Sequence, residues 1–127
     1  MKSYQEHLNA VKRTPFSITN VPEEFMNTEM ILTAINGPYG CCDSLLSHID
    51  AKYYTPEVCV ASAKKNGWSL SAMKAVHQTN EVIETALKQT EWAIVFVKDT
   101  DTRRKYIQSY GKFSKEVQRD LENNKLL

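Results

Sequence analysis

Small and apolar residues recur at fixed spacing along this chain, in four stretches that begin at Ser3, Asn27, Thr55 and Thr79. The starts lie 24, 28 and 24 residues apart, and the second stretch aligns with the others once four inserted residues are allowed. A period in this range is typical of a repeat array, in which no unit buries its own apolar face. The aligned columns are Ala10, Ala34, Ser62 and Ala86; Val11, Ile35, Ala63 and Leu87; Ile18, Leu46, Leu70 and Ile94; and Val21, Ile49, Met73 and Val97.

Each unit is predicted to contain two short helices. Thr55-Pro56-Glu57 is typical of a helix start, because the hydroxyl caps free N–H groups and the proline suits the first turn. Asn27 and Thr79 open similar sequences, each with an acidic residue two positions later. Asn66-Gly67 is predicted to end the first helix in the left-handed conformation. A second helix is then expected from Trp68 to Val76.

The C-terminal part of the chain is predicted to close the array. Asp101 or Thr102 is expected to cap a helix that ends near Gly111. A final amphipathic helix should follow, with one apolar stripe formed by Phe113, Val117 and Leu121. Its charged outer face is typical of a terminal cap on a repeat stack.

The predicted fold is therefore all-α, with short helical hairpins of about 24 residues stacked as a small solenoid. A single domain, 1–127, holds units at approximately 3–26, 27–54, 55–78 and 79–99 and a capping segment at 100–127. Either hand of the stack is compatible with the sequence.

Composition fits one folded domain, with 42% hydrophobic and 24% charged residues. No apolar run approaches the roughly 20 residues that a membrane-spanning helix needs, and the N-terminal sequence lacks the apolar core of a signal peptide. We therefore expect a cytoplasmic protein without membrane partners. Because Cys41, Cys42 and Cys59 are odd in number and two are adjacent, reduced thiols are expected rather than a disulfide framework.

Charge is distributed unevenly, although the net charge is only +1. Residues 21–57 hold six acidic residues against Lys52 alone, a net charge of −5. Residues 101–127 hold seven basic and four acidic residues, a net charge of +3. Such segments either steer a charged partner or are simply solvated surfaces.

The basic C-terminal segment supports an alternative function, nucleic-acid binding. Affinity should then fall steeply with added salt, because each phosphate contact releases counterions. The same segment could instead dock an acidic partner or only cap the stack. The candidate phosphate-binding residues are Arg103, Arg104, Lys105, Lys112, Lys115 and Arg119.

Three units carry an aromatic residue 13 positions after their start, namely Phe16, Trp68 and Trp92. One interpretation is a row of exposed aromatic side chains for binding a peptide or single-stranded nucleic acid. The other is packing between adjacent units, since these positions fall where units meet. No basic residue lies directly beside either Trp, which weakens the nucleic-acid interpretation.

Residues suited to catalysis form no convincing set in the sequence. Cys41 or Cys42 with His48, or Cys59 with His77, would supply a nucleophile and a base, and the first group could also hold zinc. The spacing does not match known zinc sites, and Cys59 falls in an apolar column, where a small core residue is expected. We therefore predict no enzyme activity, no cofactor and no metal.

The four-residue insertion near Gly37 to Asp43 offers a candidate binding site, because insertions in repeat proteins lie on loops of one face. Tyr39 would be an exposed aromatic anchor, with Asp43 and Asp50 contributing acidic character. The corresponding partner should present a basic patch. A plain longer turn is the competing interpretation.

The segments VPEEFMNTEMILTAI, TPEVCVASAKKNGWSLSAM and TNEVIETALKQTEWAIVFV resemble the short helical repeat family catalogued as domain of unknown function 4116. The resemblance covers residues from about 21 to 99 and is best from Thr55 to Leu70. The second unit departs from the pattern at Gly37 to Cys42, and the third turn has Thr90-Glu91 where the family has Asn-Gly. The family, found in bacterial, phage and protist proteins, has no assigned catalytic residues, so the resemblance implies a binding scaffold.

These observations predict a non-catalytic protein-binding module, acting as an adaptor or as a stoichiometric inhibitor of a cellular protein. A phage-encoded inhibitor of host machinery is one such class, on the grounds of chain size and family distribution. The protein is expected to be a monomer or a homodimer, since an exposed apolar end of a repeat stack can pair with a second copy.

Overall fold

The structure, a computed structural model, describes residues 2–37 and 43–127. Helices form throughout these residues and no strand occurs among them, so the all-α prediction is confirmed. No helix in the described ranges combines the length and apolar character required to cross a membrane. Tyr39, Cys41 and Cys42, which the sequence analysis singled out, lie outside the described residues.

Seven α-helices follow one another in the part of the chain that the structure describes. Their bounds are α1, Tyr4–Arg13; α2, Thr28–Asn36; α3, Asp43–Ser47; α4, Pro56–Lys65; α5, Asn80–Gln89; α6, Thr100–Tyr110; and α7, Lys115–Asn123.

The predicted caps of α2, α4 and α5 are confirmed. The side chains of Asn27, Thr55 and Thr79 each accept a backbone N–H three residues later, which satisfies one of the free donors of the first turn. The cap predicted for α6 was wrong. Asp99 caps that helix, because its carboxylate accepts both the N–H and the hydroxyl hydrogen of Thr102.

A 3₁₀-helix follows each of α1, α4 and α5. Prediction of one helix from Trp68 to Val76 was wrong, because the chain forms two 3₁₀ segments with an extended residue between them. At that residue, Met73, φ is −96° and ψ is 144°, and the side chain is fully buried. The 3₁₀ segments are η1, Pro15–Asn20; η2, Glu23–Phe25; η3, Ala51–Tyr53; η4, Gly67–Ala72; η5, Ala75–His77; and η6, Glu91–Phe96.

Asn66 does not take the left-handed conformation that the sequence analysis predicted. Its φ of −154° is extended, and its Oδ1 accepts the N–H of Trp68 at 3.0 Å. Thr90 does the same for Trp92, with its Oγ1 3.3 Å from the amide nitrogen. Both residues therefore end the preceding α-helix in an extended conformation and cap the 3₁₀-helix that follows with their side chains. The shared capping role explains why threonine can replace asparagine at this turn.

Gly67 is required by close packing and not by a left-handed backbone. A Cβ at this position would lie 2.6 Å from the carbonyl oxygen of Ala86 and 2.7 Å from Cγ2 of Thr90. The N–H of Gly67 also donates to Oε1 of Gln89 at 2.7 Å. Absence of a side chain thus lets η4 approach α5 closely enough to share a hydrogen bond. Gly111, in contrast, has φ +93° and ends α6 as predicted, so that α7 begins as a separate helix.

One continuous apolar cluster extends from Val11 in α1 to Leu121 in α7. Helix α1 contacts α2, α2 contacts α4, and α4 contacts α5, so these four helices lie side by side, whereas α3 contacts η4 and α6 contacts η6. The apolar columns predicted from the sequence are all buried. In the small-residue column, Ala34, Ser62 and Ala86 are buried and Ala10 is half-buried.

Buried polar side chains bridge the 3₁₀ segments. Gln78 donates from Nε2 to the carbonyl oxygens of Leu70 and Phe96, at 3.0 and 2.9 Å, and its Oε1 accepts the N–H of Lys98 at 2.9 Å. The Tyr54 hydroxyl donates to the carbonyl oxygen of Leu46. Both side chains thereby tie together backbone segments that are eight or more residues apart in the chain.

The C-terminal amphipathic helix is confirmed as α7. Phe113, Val117 and Leu121 are buried, and α7 contacts η6. The N–H of Ser114 donates to Oε1 of Glu91 at 2.7 Å, which fixes the start of α7 against η6.

The packing at Gly67 gives a test of this architecture. We expect Gly67→Ala to lower the free energy of unfolding by about 2–3 kcal/mol, because the new methyl group forces η4 away from α5. Urea unfolding followed by circular dichroism measures the change. Ser71→Ala, on the exposed side of η4, is the matched control and should stay within about 0.5 kcal/mol of the parent. Equal stability of the two variants would contradict the close approach.

Candidate interaction surface

Three aromatic side chains from η4 and η6 form a cluster that reaches the protein surface. The rings of Trp68 and Trp92 stack with centroids 5.7 Å apart and an interplanar angle of 25°. The ring of Phe96 lies 5.2 Å from that of Trp68. The two Trp rings pack against each other, yet Trp68 remains 38% exposed and the other two side chains are half-buried. We call Trp68, Trp92 and Phe96 the aromatic cluster.

Local backbone structure fixes the direction of each side chain in this region. The caps Asn66 and Thr90 place the two Trp residues in the first turn of their 3₁₀-helices. After η6 the chain becomes extended at Val97, with φ −69° and ψ 117°. Because successive side chains of an extended segment point to opposite sides, buried Val97 leaves Phe96 and Lys98 facing outward.

The same alternation follows η4, one unit earlier in the chain. Met73 is extended and fully buried, and its neighbours Ala72 and Lys74 lie towards solvent. Lys74 and Lys98 are 24 residues apart, which is the repeat spacing. We call these two residues the lysine pair.

His77 connects the two members of the lysine pair. Burial, followed by the positive charges of Lys74 and Lys98, lowers the pKa of His77 below its usual value. Its Nδ1 accepts the N–H of Lys74 at 3.3 Å, and its ring packs edge-on against Tyr54 at 5.2 Å. Next to it, Val76 is 78% exposed. Both lysines therefore lie close enough to His77 to act on one imidazole.

Carboxylates near these residues are used by the fold. Glu91 accepts the N–H of Ser114, and Asp99 caps α6. Among the described residues one ion pair forms, between Lys52 and Glu23, so the lysine pair has no carboxylate partner there.

Open grooves follow the seams between neighbouring α-helices. The groove beside α2 and α4 has a volume of about 560 Å³ and is lined by Lys12, Glu29, Leu32 and Glu57, among others. A groove of about 460 Å³ lies between α4 and α5, and one of about 490 Å³ lies between α5 and α6. Charges of both signs or polar groups line each groove, in contrast to the uniformly basic region around His77.

The predicted acidic site is only partly described. Asp43 begins α3, and Asp50 is exposed. Asp50 accepts the N–H of Lys52 at 3.0 Å, so one carboxylate oxygen caps η3. Tyr39, the proposed anchor, is outside the described ranges, and a site at the insertion stays a prediction.

Arg103 does not belong to a basic surface, contrary to the sequence analysis. The side chain is buried, and it donates from Nη1 to the carbonyl oxygen of Val97 at 2.9 Å and from Nε to that of Leu126 at 2.8 Å. The guanidinium therefore ties the C-terminus to the start of α6. Its neighbours Arg104 and Lys105 are exposed, as predicted for a basic surface. No local pattern in the sequence distinguishes Arg103 from Arg104.

Of the thiol and metal candidates, Cys59, His48 and His77 are described, and Cys41 and Cys42 lie outside the described residues. Cys59 is 1% exposed, and burial raises the pKa of its thiol to about 11, so it is a core residue as predicted. His48 is exposed, with its ring 5.7 Å from that of Phe16. Within the described ranges, no three His, Cys, Asp or Glu residues are grouped to hold a metal.

Comparisons with known proteins leave the surface without a precedent. No protein-family model matches the chain, and no curated protein or solved structure matches it significantly. The resemblance to the helical repeat family stays a prediction.

The two arginines that begin α6 give a sharp test of their different roles. Arg103→Ala should lower the free energy of unfolding by about 2–3 kcal/mol, because it removes the donor to the buried carbonyl oxygen of Val97 and to the partly buried one of Leu126. Arg104→Ala is the matched control, with an expected change within about 0.5 kcal/mol. Urea unfolding measures both changes. Similar losses for the two variants would show that Arg103 has no special structural role.

Burial of Cys59 predicts an unreactive thiol. In a Cys41→Ser/Cys42→Ser variant, the remaining thiol should react with a disulfide reagent at least about 100-fold more slowly in the native state than in denaturant, since it is both buried and protonated. Release of the coloured leaving group measures the rate. Fast labelling under native conditions would mean that α4 opens readily.

Proposed function

We propose that this protein is a non-catalytic protein-binding module, an adaptor or stoichiometric inhibitor, built as a short stack of repeated helical units. The observation that carries the proposal is the aromatic cluster. Trp68 is 38% exposed although it is stacked on Trp92 and packed against Phe96. Exposed, rigidly held Trp side chains are typical of residues that dominate the binding energy of protein interfaces.

Equivalent contacts in successive units support the repeat stack. Phe16 of the first unit packs against His48 of the second, as Trp68 of the third packs against Phe96 of the fourth. These pairs occupy matching positions once the four-residue insertion is counted.

Hydrogen bonds follow the same register. Tyr54 and Gln78 occupy one column, and each donates to the carbonyl oxygen eight residues earlier. Thr33 and Thr85 occupy another, and each donates to the carbonyl oxygen four residues earlier. Recurrence of both kinds of contact supports units that stack in one register.

Rigidity of the aromatic cluster is important for affinity. The backbone N–H of each Trp donates to a capping side chain, and each indole ring is packed on another ring. When a partner covers these rings, they therefore lose less conformational entropy than mobile side chains would.

Affinity capture of the tagged full chain from a lysate of its native cell tests this function. The capture is run with and without nuclease. We expect one partner protein to be recovered in near-stoichiometric amount in both cases, and Trp68→Ala should reduce its recovery at least about tenfold. Tyr110→Ala is the matched control, because Tyr110 is also an exposed aromatic residue stacked on a neighbour, Phe113. Retention should be unchanged in that variant.

Two outcomes would overturn the proposal or move the site. Recovery that vanishes with nuclease, or with Arg104→Glu/Lys105→Glu, would replace protein binding by nucleic-acid binding through the C-terminal segment. Loss of a nuclease-resistant partner on Tyr39→Ala, but not on Trp68→Ala, would place the site on the insertion.

A further inference from the structure

We propose that the aromatic cluster and the lysine pair form one docking surface for an acidic segment of a partner protein, a segment that carries an aromatic or large aliphatic side chain. This inference rests on the proposed protein-binding function and specifies its partner. We call the five residues the aromatic–lysine surface.

Continuity of this surface follows from contacts between its members. Trp68 touches Phe96, and Phe96 is separated from Lys98 only by Val97, which points into the core. Gln78, the residue after His77, accepts the N–H of Lys98 at 2.9 Å, and Nδ1 of His77 accepts the N–H of Lys74 at 3.3 Å. The side chains therefore form an unbroken path across the third and fourth units.

The five residues of the aromatic–lysine surface include two basic and no acidic side chains, which indicates the partner chemistry. Between Val60 and Thr79 the chain contains three lysines, one histidine and no acidic residue. The two carboxylates in the neighbourhood, those of Glu91 and Asp99, already accept backbone N–H groups. Lys74 and Lys98 are exposed, and neither forms an ion pair with a described carboxylate, which favours an acidic ligand.

Asp50 marks one edge of the basic region. It occupies the column of Lys74 and Lys98 in the second unit, so the charge of the column changes sign from the second unit to the third. An acidic segment is consequently confined to the third and fourth units, where the exposed rings of the aromatic cluster lie.

A peptide fits this surface better than a nucleic acid. The surface combines two isolated lysines with an aromatic cluster and the exposed Val76, so apolar contact is available alongside few charge contacts. Single-stranded nucleic-acid sites instead follow the backbone with a row of basic side chains and leave ring faces free for stacking. Here one face of the Trp68 indole is already stacked on Trp92.

Selection from a random peptide display library provides the test. The bait is the full chain, and the library is first depleted on a Lys74→Glu/Lys98→Glu variant so that ligands of other surfaces are removed. Selected peptides should have net negative charge around an aromatic or large aliphatic residue. Their affinity, measured by fluorescence anisotropy, should fall at least about tenfold in Lys74→Glu/Lys98→Glu and fall with added salt.

Controls separate this surface from the rest of the molecule. Lys12→Glu/Lys88→Glu makes the same change in net charge on the α-helical grooves and should bind the selected peptides as the parent does. Trp68→Ala should weaken binding, and circular dichroism together with thermal unfolding checks that each variant is folded. A labelled oligothymidylate serves as the nucleic-acid probe and should bind the parent and the Lys74→Glu/Lys98→Glu variant equally weakly.

Failure to recover peptides, recovery of peptides without acidic residues, or equal binding by both charge-reversal variants would overturn the inference. Preferential, lysine-dependent binding of the oligothymidylate would also overturn it, in favour of nucleic acid. If the partner captured from lysate is still retained by Lys74→Glu/Lys98→Glu, this surface assignment fails while the protein-binding function stands.

Discussion

The structure depends on satisfying backbone polar groups where helical segments distant in the chain pack against one another. Short 3₁₀ segments leave many N–H and C=O groups without partners inside the segment, and a buried unpaired group costs about 1–3 kcal/mol. Side chains from adjacent units meet this need. Gln89 accepts the N–H of Gly67, Gln78 donates to the carbonyl oxygen of Phe96, and Arg103 donates to that of Val97. Apolar burial holds the units together, while these hydrogen bonds determine how far one unit can slide along another.

The aromatic–lysine surface is a consequence of that register. Gly67 allows η4 to approach α5, and the caps at Asn66 and Thr90 then start two 3₁₀-helices side by side. This arrangement stacks Trp68 on Trp92 and leaves part of Trp68 exposed. A shift of one residue in the extended segment after η6 would bury Lys98 and expose Val97. The same hydrogen bonds that stabilise the seam therefore also preorganise the proposed docking surface.

Errors in the sequence-based predictions share one physical cause. Gly67 was interpreted from local backbone preference, but its role is set by α5, whose carbonyl and side chains occupy the space beside it. Arg103 was placed on a basic surface with Arg104, yet the carbonyl oxygens that bind it come from Val97 and Leu126. A single helix was expected from Trp68 to Val76, but the extended backbone at Met73, whose side chain is buried in the core, interrupts it. In each case a neighbour distant in sequence decided between locally acceptable alternatives.

The sequence by itself determined the all-α class, the caps of α2, α4 and α5, the buried columns and the amphipathic α7. These features depend on hydrogen bonds within a few residues and on apolar periodicity, both of which are visible in one chain. Only the tertiary structure decided which long polar side chains are buried, as for Gln78 and Arg103, and which aromatic ring stays exposed, as for Trp68. The physical reason is that burial of a side chain depends on how closely the next unit approaches, and that distance is set by packing between residues more than 20 positions apart in the chain.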